Sequence, residues 1–288
     1  AAHAGAGPLL SDRRRALIPF PQPPELSMHP VSRALPVALR TAITFGALSV
    51  LPMSAAAQSD LQGWYAGLDV QQSRLERRAQ TTLDGAWSIE SNELRAFVAG
   101  LDRGERRDTD TGAQLHVGYL HTPGDRWLLG VEFGIDNGSG RVDASQGPST
   151  FPLNPIGYRT QATLEVDRMM VLRGLVGFRF GESQALYASV GAARGEVLAT
   201  TGLTSNGGYA KAGRFDGHRS GLQWGLGWRW ALDERWSLRA EWLQTDLGDL
   251  TIDNAYLPGS AFVDPPYGER YRIDVESRQL RVGVSLRF

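Results

Sequence analysis

Between residues 222 and 230 the chain reads Leu-Gln-Trp-Gly-Leu-Gly-Trp-Arg-Trp, with every second side chain large and apolar and every intervening one polar or glycine. Successive side chains of a strand point to opposite faces, so this run predicts a strand with one oily and one polar side. Seven further segments carry the same period. Trp64, Ala66, Leu68 and Val70 share a face, as do Ala113, Leu115, Val117 and Tyr119. Trp127, Leu129, Val131, Phe133 and Ile135 make a third, and Met170, Leu172, Val176, Phe178 and Phe180 a fourth. Leu186, Ala188, Val190 and Ala192 are a weaker fifth; Trp236, Leu238, Ala240 and Trp242 follow the segment at 222–230. The last is Leu280, Val282, Val284, Leu286 and Phe288.

The opposite faces are polar or small: Gln114, His116, Gly118, Glu132, Arg173, Gly177, Arg179, Gly191, Gln223, Gly225, Gly227, Arg229, Arg239, Glu241, Gln279, Arg281 and Gly283 among them. Alternation alone fits a soluble barrel with its apolar side inward as well as a membrane barrel with it outward. Three observations select the membrane. Connections alternate between tight turns (Thr122–Asp125, Gly181–Gln184, Leu232–Arg235) and long polar stretches near 74–111, 137–162, 196–219 and 247–272. Short periplasmic turns and long external loops are the habit of outer-membrane barrels. Aromatics gather at the short-turn ends (Trp64, Tyr119, Trp127, Phe178, Phe180, Trp230, Trp236, Phe288), where amphipathic rings sit between lipid and water. The polar face holds both Arg and Glu, which pair inside a narrow barrel. The prediction is an all-β fold, an eight-stranded antiparallel transmembrane barrel, with a ten-stranded count open if the first long loop adds a hairpin. Closure follows because hydrocarbon leaves no other way to satisfy the backbone.

Composition agrees. A hydrophobic content of 42% and a mean hydropathy of -0.26 exclude a bundle of apolar helices but not strands apolar on one face. No cysteine is present, so an exported chain of this kind relies on packing and hydrogen-bonded closure. Lys211 is the single lysine, and a net charge of -1 marks no nucleic-acid binder.

The first part of the chain reads differently. From Met28, Arg33 and Arg40 form a basic region, Ala42 to Leu51 a short apolar one, and Ser54-Ala55-Ala56-Ala57 a small-residue cleavage site before Gln58. That apolar run is shorter than the about 20 residues of a spanning helix. The domains expected are therefore a signal peptide at 28–57 and a barrel at 58–288. Residues 1–27, rich in Pro, Ala and Arg, are read as an over-extended reading frame, with a disordered extension as the alternative.

Three groups are candidates for function. The inward charges Glu132, Arg173, Arg179, Arg229, Arg239, Glu241 and Arg281 form either a mutually paired plug or the lining of a narrow aqueous path. Eight strands leave little free lumen, which favours the plug. No Gly-x-Ser-x-Gly elbow, His-Glu-x-x-His or phosphate loop is present. His218 and Ser220, two apart on an outward face, are the one group with nucleophilic character, and would need Glu196 or Asp246 as an acidic partner. His116 and His121 read as structural. The long loops are the third group, with Glu93 to Ala99 as a short helix or strand extension and Asp102, Asp108 and Asp110 matching no calcium loop.

The stretches Gly63-Trp64-Tyr65-Ala66-Gly67-Leu68-Asp69, Gly118-Tyr119, Gly130-Val131-Glu132, Leu186 to Ala193 and Trp236 to Trp242 resemble the small outer-membrane barrels that include the OmpA transmembrane domain. The final Leu280 to Phe288 resembles the strand by which such proteins are recognised for assembly. His218-x-Ser220 loosely resembles outer-membrane lipid A deacylases. The resemblance implies an outer-membrane location and a structural or surface-interaction role, with a narrow passive pore and a lipid A hydrolase as alternatives. It implies as partners outer-membrane lipid and lipopolysaccharide, the barrel-assembly machinery acting on Phe288, and a host or neighbouring cell surface. A monomer with no cofactor, no metal, no catalytic residues and no nucleic acid is expected.

Overall fold

The computed structural model describes residues 61–124, 126–137 and 140–288. The segments read at 1–27 and 28–57 lie outside the described residues, as does Asp125 of the first tight turn. In chain order the strands are β1 (Gly63–Gly85), β2 (Gly104–His121), β3 (Trp127–Asp136), β4 (Gly140–Asp143), β5 (Gln146–Thr150), β6 (Gly157–Phe180), β7 (Gln184–Ser205), β8 (Ala210–Ala231), β9 (Trp236–Asp253), β10 (Ala255–Tyr256) and β11 (Tyr267–Arg287). Eight of them form a closed antiparallel ring, β1-β2-β3-β6-β7-β8-β9-β11, with β11 returning to β1. The short β4 and β5 continue β3 along β6, and β10 caps β8. No extra hairpin enters the ring, which settles eight strands against ten.

The register fixes the dimensions. Starting at Tyr65 and stepping through Gly118, Glu132, Arg173, Gly191, Gln223, Thr245 and Ser277 returns to Leu75, ten residues further along β1. Eight strands with that stagger tilt by about 40° and leave a backbone radius of about 8 Å, room for side chains and little else. Small inward residues make even that packing feasible. A Cβ on Gly227 would strike the ring of Tyr187, and one on Gly118 the hydroxyl of Tyr65, so the two tyrosines lie across glycines.

The strands are longer than expected, 23 residues in β1 and 24 in β6, against the about 9–11 that cross a membrane. The spans read as loops at 74–111, 137–162, 196–219 and 247–272 are therefore largely barrel wall; between β7 and β8 only residues 206–209 remain outside strands. The reason is an inversion of phase. Near the short turns the apolar residues face out, with Trp64, Leu68, Val131, Leu226 and Val282 all exposed, and the polar ones face in. Higher up the same strands, Leu75, Ala79, Leu164, Val197, Ala199, Ile273 and Val275 are buried inside while Arg74, Arg194 and Arg272 point outward. The lower part is a closed membrane barrel; above it the strands continue as a wall around an apolar core, with the ladders ending at Leu222–Asp246 between β8 and β9 and at Gln114–Asp136 between β2 and β3. Each half puts apolar side chains where water is absent. β8 and β9 pair only up to Leu222 and Asp246, and Phe215 packs against the apolar core above that point.

The mouth is covered. A 3-10 turn (Ala86–Ile89) and a helix α1 (Asn92–Leu101) follow β1, so the segment around Glu93 is helical; Ser91 Oγ caps it by accepting from the Leu94 amide at 3.1 Å. Val98 and Leu101 join Trp87, Phe151, Tyr158, Leu203 and Tyr209 in an aromatic cluster. Asp102 closes the helix and is gripped by Arg77 in a buried bidentate pair at 3.0 and 2.6 Å, and Glu269 accepts from Trp87 Nε1 at 2.8 Å and from Tyr209. Lys211, 3% exposed, completes this knot 3.1 Å from Glu269. An amine-reactive reagent should therefore modify Lys211 only after heat unfolding, read by mass spectrometry of the peptide; rapid labelling of the folded barrel would contradict the seal.

At the edge of the mouth, the Tyr267 hydroxyl donates to Glu90 at 2.6 Å. That hydrogen bond, with burial adding to it, pushes the Tyr267 pKa up to about 12. A free tyrosine ionises near pH 10, so the contact's stabilisation is full below about pH 10 and disappears as the pH climbs toward 12. The Trp87 ring stands 4.9 Å away from that of Tyr267, which makes near-ultraviolet dichroism the readout. The parent should lose signal between those values, and Tyr267→Phe should remove that step.

Candidate functional site

The inward face of the membrane-spanning half builds one layer of charge. Glu132, on β3, accepts from Arg173 of β6 (Nε 3.1 Å, Nη2 2.6 Å), from Arg239 of β9 (Nη1 2.5 Å) and from the Tyr65 hydroxyl of β1 (2.7 Å). Arg173 also reaches Glu241 at 2.7 Å, and the Tyr187 hydroxyl donates to the same carboxylate at 2.7 Å. Arg239 extends the chain to Asp69 through Nε at 2.7 Å, and His116 Nδ1 lies 2.9 Å from its Nη2. Arg281 completes it with Asp136 at 3.0 Å and with Gln114 and Gln279. Every member of this layer is less than a twentieth exposed.

The charge closes within the layer: Asp69, Glu132, Asp136 and Glu241 face Arg173, Arg229, Arg239 and Arg281. Balance is what a low-dielectric lumen demands, since an unpaired ion there costs several kcal/mol. Arg229 is the loosest member. It lies 3.9 Å from Glu132 and stacks 4.2 Å over the Tyr65 ring, while its Nε and Nη2 atoms find no hydrogen-bond partner. Below the layer, Leu61, Tyr65, Leu120, Leu128, Leu175, Ala185, Tyr187 and Ala231 pack into an apolar floor, with a recess of about 20 Å³ beside it, roughly one water. Above it sits the larger apolar core, and above that the aromatic lid.

The structure brings together Glu132, Arg173, Arg229, Arg239, Glu241 and Arg281, and leaves out Arg179. Arg179 has the inward parity, but it lies at the last turn of the wall, where Nη2 donates to the Glu182 carbonyl at 2.8 Å. Asp69, Asp136, Tyr65 and Tyr187 are members that the pattern reading passed over. Their parity on strands already placed was the available signal. Phe288 stands outside the wall, 75% exposed, its amide donating to the Trp64 carbonyl at 3.1 Å.

On the outer surface His218 Nε2 lies 3.6 Å from Glu196, its partner in the β7–β8 register, while Asp246 is engaged with the Gly248 amide. Ser220 faces Arg194, and no hydrogen bond joins it to His218 among the described residues. The contact that would activate a serine is missing from this arrangement. Asp108 and Asp110 accept from the amides of the residues that follow them, and among the described residues no cluster of three or more His, Asp or Glu side chains is placed to hold a metal.

Three solved structures match the chain over most of its length. Ail, the attachment invasion locus protein of Yersinia pestis, is 13% identical, with a TM-score of 0.34 over 79% of this chain and 100% of that one. OprG of Pseudomonas aeruginosa is 11% identical, with a TM-score of 0.43 over 80% and 98%. The outer membrane protease OmpT of Escherichia coli is 9% identical, with a TM-score of 0.41 over 81% and 100%. No curated protein matches the chain. The family described as "Outer membrane protein beta-barrel domain" matches residues 43–288. With a closed ring of eight strands, a lipid-facing apolar belt and that match, the chain is a bacterial outer-membrane protein and belongs to the outer membrane protein beta-barrel domain family.

Proposed function

We propose that this barrel is a closed anchor without catalytic activity, whose stiff extracellular wall and lid give it a structural and surface-contact role in the envelope. The observation that carries the reading is the filled lumen: apolar floor, balanced charge layer, apolar core and aromatic lid follow one another along the barrel. A solute would have to break a buried ion network and then part an apolar core. The extended wall serves contact rather than passage, because it lifts an ordered surface clear of the lipid headgroups. The same closure disfavours the pore, and the missing His218–Ser220 hydrogen bond disfavours the hydrolase.

The test is genetic and comparative. Cells lacking the protein should lose envelope robustness toward detergent, or attachment to surfaces, with uptake of small hydrophilic solutes unchanged. Changed uptake with robustness and attachment intact would replace this reading with the pore.

A further inference from the structure

Arg229 is 1% exposed, faces the lumen, and stands directly opposite Arg239 in the β8–β9 register. Like charges directly opposite across two strands destabilise a sheet, so each guanidinium needs an acceptor of its own. Arg239 has them in Asp69 and Glu132. Arg229 does not, because the Glu132 carboxylate 3.9 Å from it is already full. An ionised carboxylate accepts about four hydrogen bonds. Glu132 Oε1 takes two from Arg173, while Oε2 takes one from Arg239 and one from the Tyr65 hydroxyl. Arg229 stacks on the Tyr65 ring instead, and its Nε and Nη2 have no hydrogen-bond partner among the described residues.

The next row toward the periplasmic turn supplies space. There Ala231 is opposite Ser237, both small, and both line the recess of about 20 Å³ at the base of the barrel. Arg229 lines the same recess, and Arg235 and Arg287 join it, so three guanidiniums border one small space. Asp233 and Glu234 border it too, but Asp233 Oδ1 accepts from the amides of Arg235 and Trp236, both at 2.7 Å. The charge layer is neutral in sum, yet around Arg229 the field is positive. A space of this size admits one water or one small ion, not a phosphate or sulfate. Water would satisfy the free N–H groups and leave the field; a small anion answers both.

We propose that the recess is a binding site for one small monovalent anion of the size of chloride, entering from the periplasmic side. Arg229 holds it, with the Ser237 hydroxyl as a second donor. The anion supplies the acceptor that Glu132 cannot, and it offsets the repulsion between Arg229 and Arg239. The barrel is thus stabilised by halide at its base. The site goes beyond the closed-anchor reading and does not depend on it, since the other ion pairs fill the lumen with or without the anion.

The experiment uses the full folded barrel in detergent. Melting, followed by heat-dependent gel mobility, is measured for parent, Arg229→Gln and Ser237→Val in sodium chloride and in sodium gluconate of equal concentration. Chloride should raise the parent's midpoint by about 3–6 °C at ten times its dissociation constant, and neither variant should show the rise. Ser237→Val keeps Arg229 and fills the recess, so it separates loss of the site from loss of the buried charge and stands alone if Arg229→Gln does not fold. Crystals grown in sodium bromide should show an anomalous peak within hydrogen-bond distance of the Arg229 guanidinium in the parent and none in the variants. A parent midpoint equal in the two salts, a rise shared by all three proteins, or a water in place of bromide would overturn the site. Bromide bound without stabilisation by chloride would mean an adventitious ion only, and would overturn it as well.

Discussion

Arg239→Ala should lower the unfolding free energy of the barrel by about 3–5 kcal/mol, the usual cost of deleting one partner of a buried ion pair. Arg239 is fully enclosed and holds two carboxylates at once, Asp69 and Glu132, with His116 alongside. Its removal leaves Asp69 with His116 alone and takes one of the two close arginines from Glu132, which keeps Arg173 and Tyr65. Arg229→Ala is the internal comparison, because that guanidinium contributes a ring contact and a distant carboxylate rather than hydrogen bonds to one. The loss there should be smaller, because no hydrogen bond to a carboxylate goes with it, although the layer gives up one buried positive charge. Urea unfolding in detergent micelles, followed by gel mobility, measures both. Equal losses would mean that the layer behaves as a diffuse pool of charge and not as a network with a hub. Adding Asp69→Asn and Glu132→Gln to Arg239→Ala should recover part of the loss, since the carboxylate charges left with fewer partners go with it.

Leu226→Arg should impair insertion by roughly 2–4 kcal/mol, the cost of a lipid-facing arginine at the midplane. Leu226 is 59% exposed on β8, midway between Trp230 at the girdle and Leu222 at the top of the apolar run. The matching change above the membrane should be silent: the chain already carries Arg214 on the outer face of the same strand. Folding yield into vesicles, for Leu226→Arg beside a Leu198→Arg control on the upper wall, where the new arginine stands opposite Asp216 and Glu165, reads the difference. Equal yields would place the membrane boundary elsewhere on β8.

The lower half of the barrel was legible because lipid on one side and packed charge on the other impose a period of two that few other environments produce. Trp224, Leu226 and Trp228 alternate with Gly225, Gly227 and Arg229, and the structure keeps that phase. The upper half obeys the same period with the faces exchanged, as in Arg272-Ile273-Asp274-Val275. A reading keyed to outward apolar residues sees only polar positions there and stops at a loop. A change of phase along one strand marks the membrane surface, and it was present in the residues. Arg179 failed for a different reason: parity says which side of the wall a residue takes, not whether any lumen remains beside it. Pairing was never local enough to read. Arg239 and Asp69 are 170 residues apart and meet only because the ring closes with its particular stagger.

The central claim is that the lumen is a packed interior, and single-channel conductance of the refolded barrel in a planar bilayer tests it most directly. Folded protein should leave the membrane electrically silent, because the charge layer lies between an apolar floor and an apolar core. Reproducible open steps from the parent protein would contradict the account, show the layer to be wet, and make the barrel a pore.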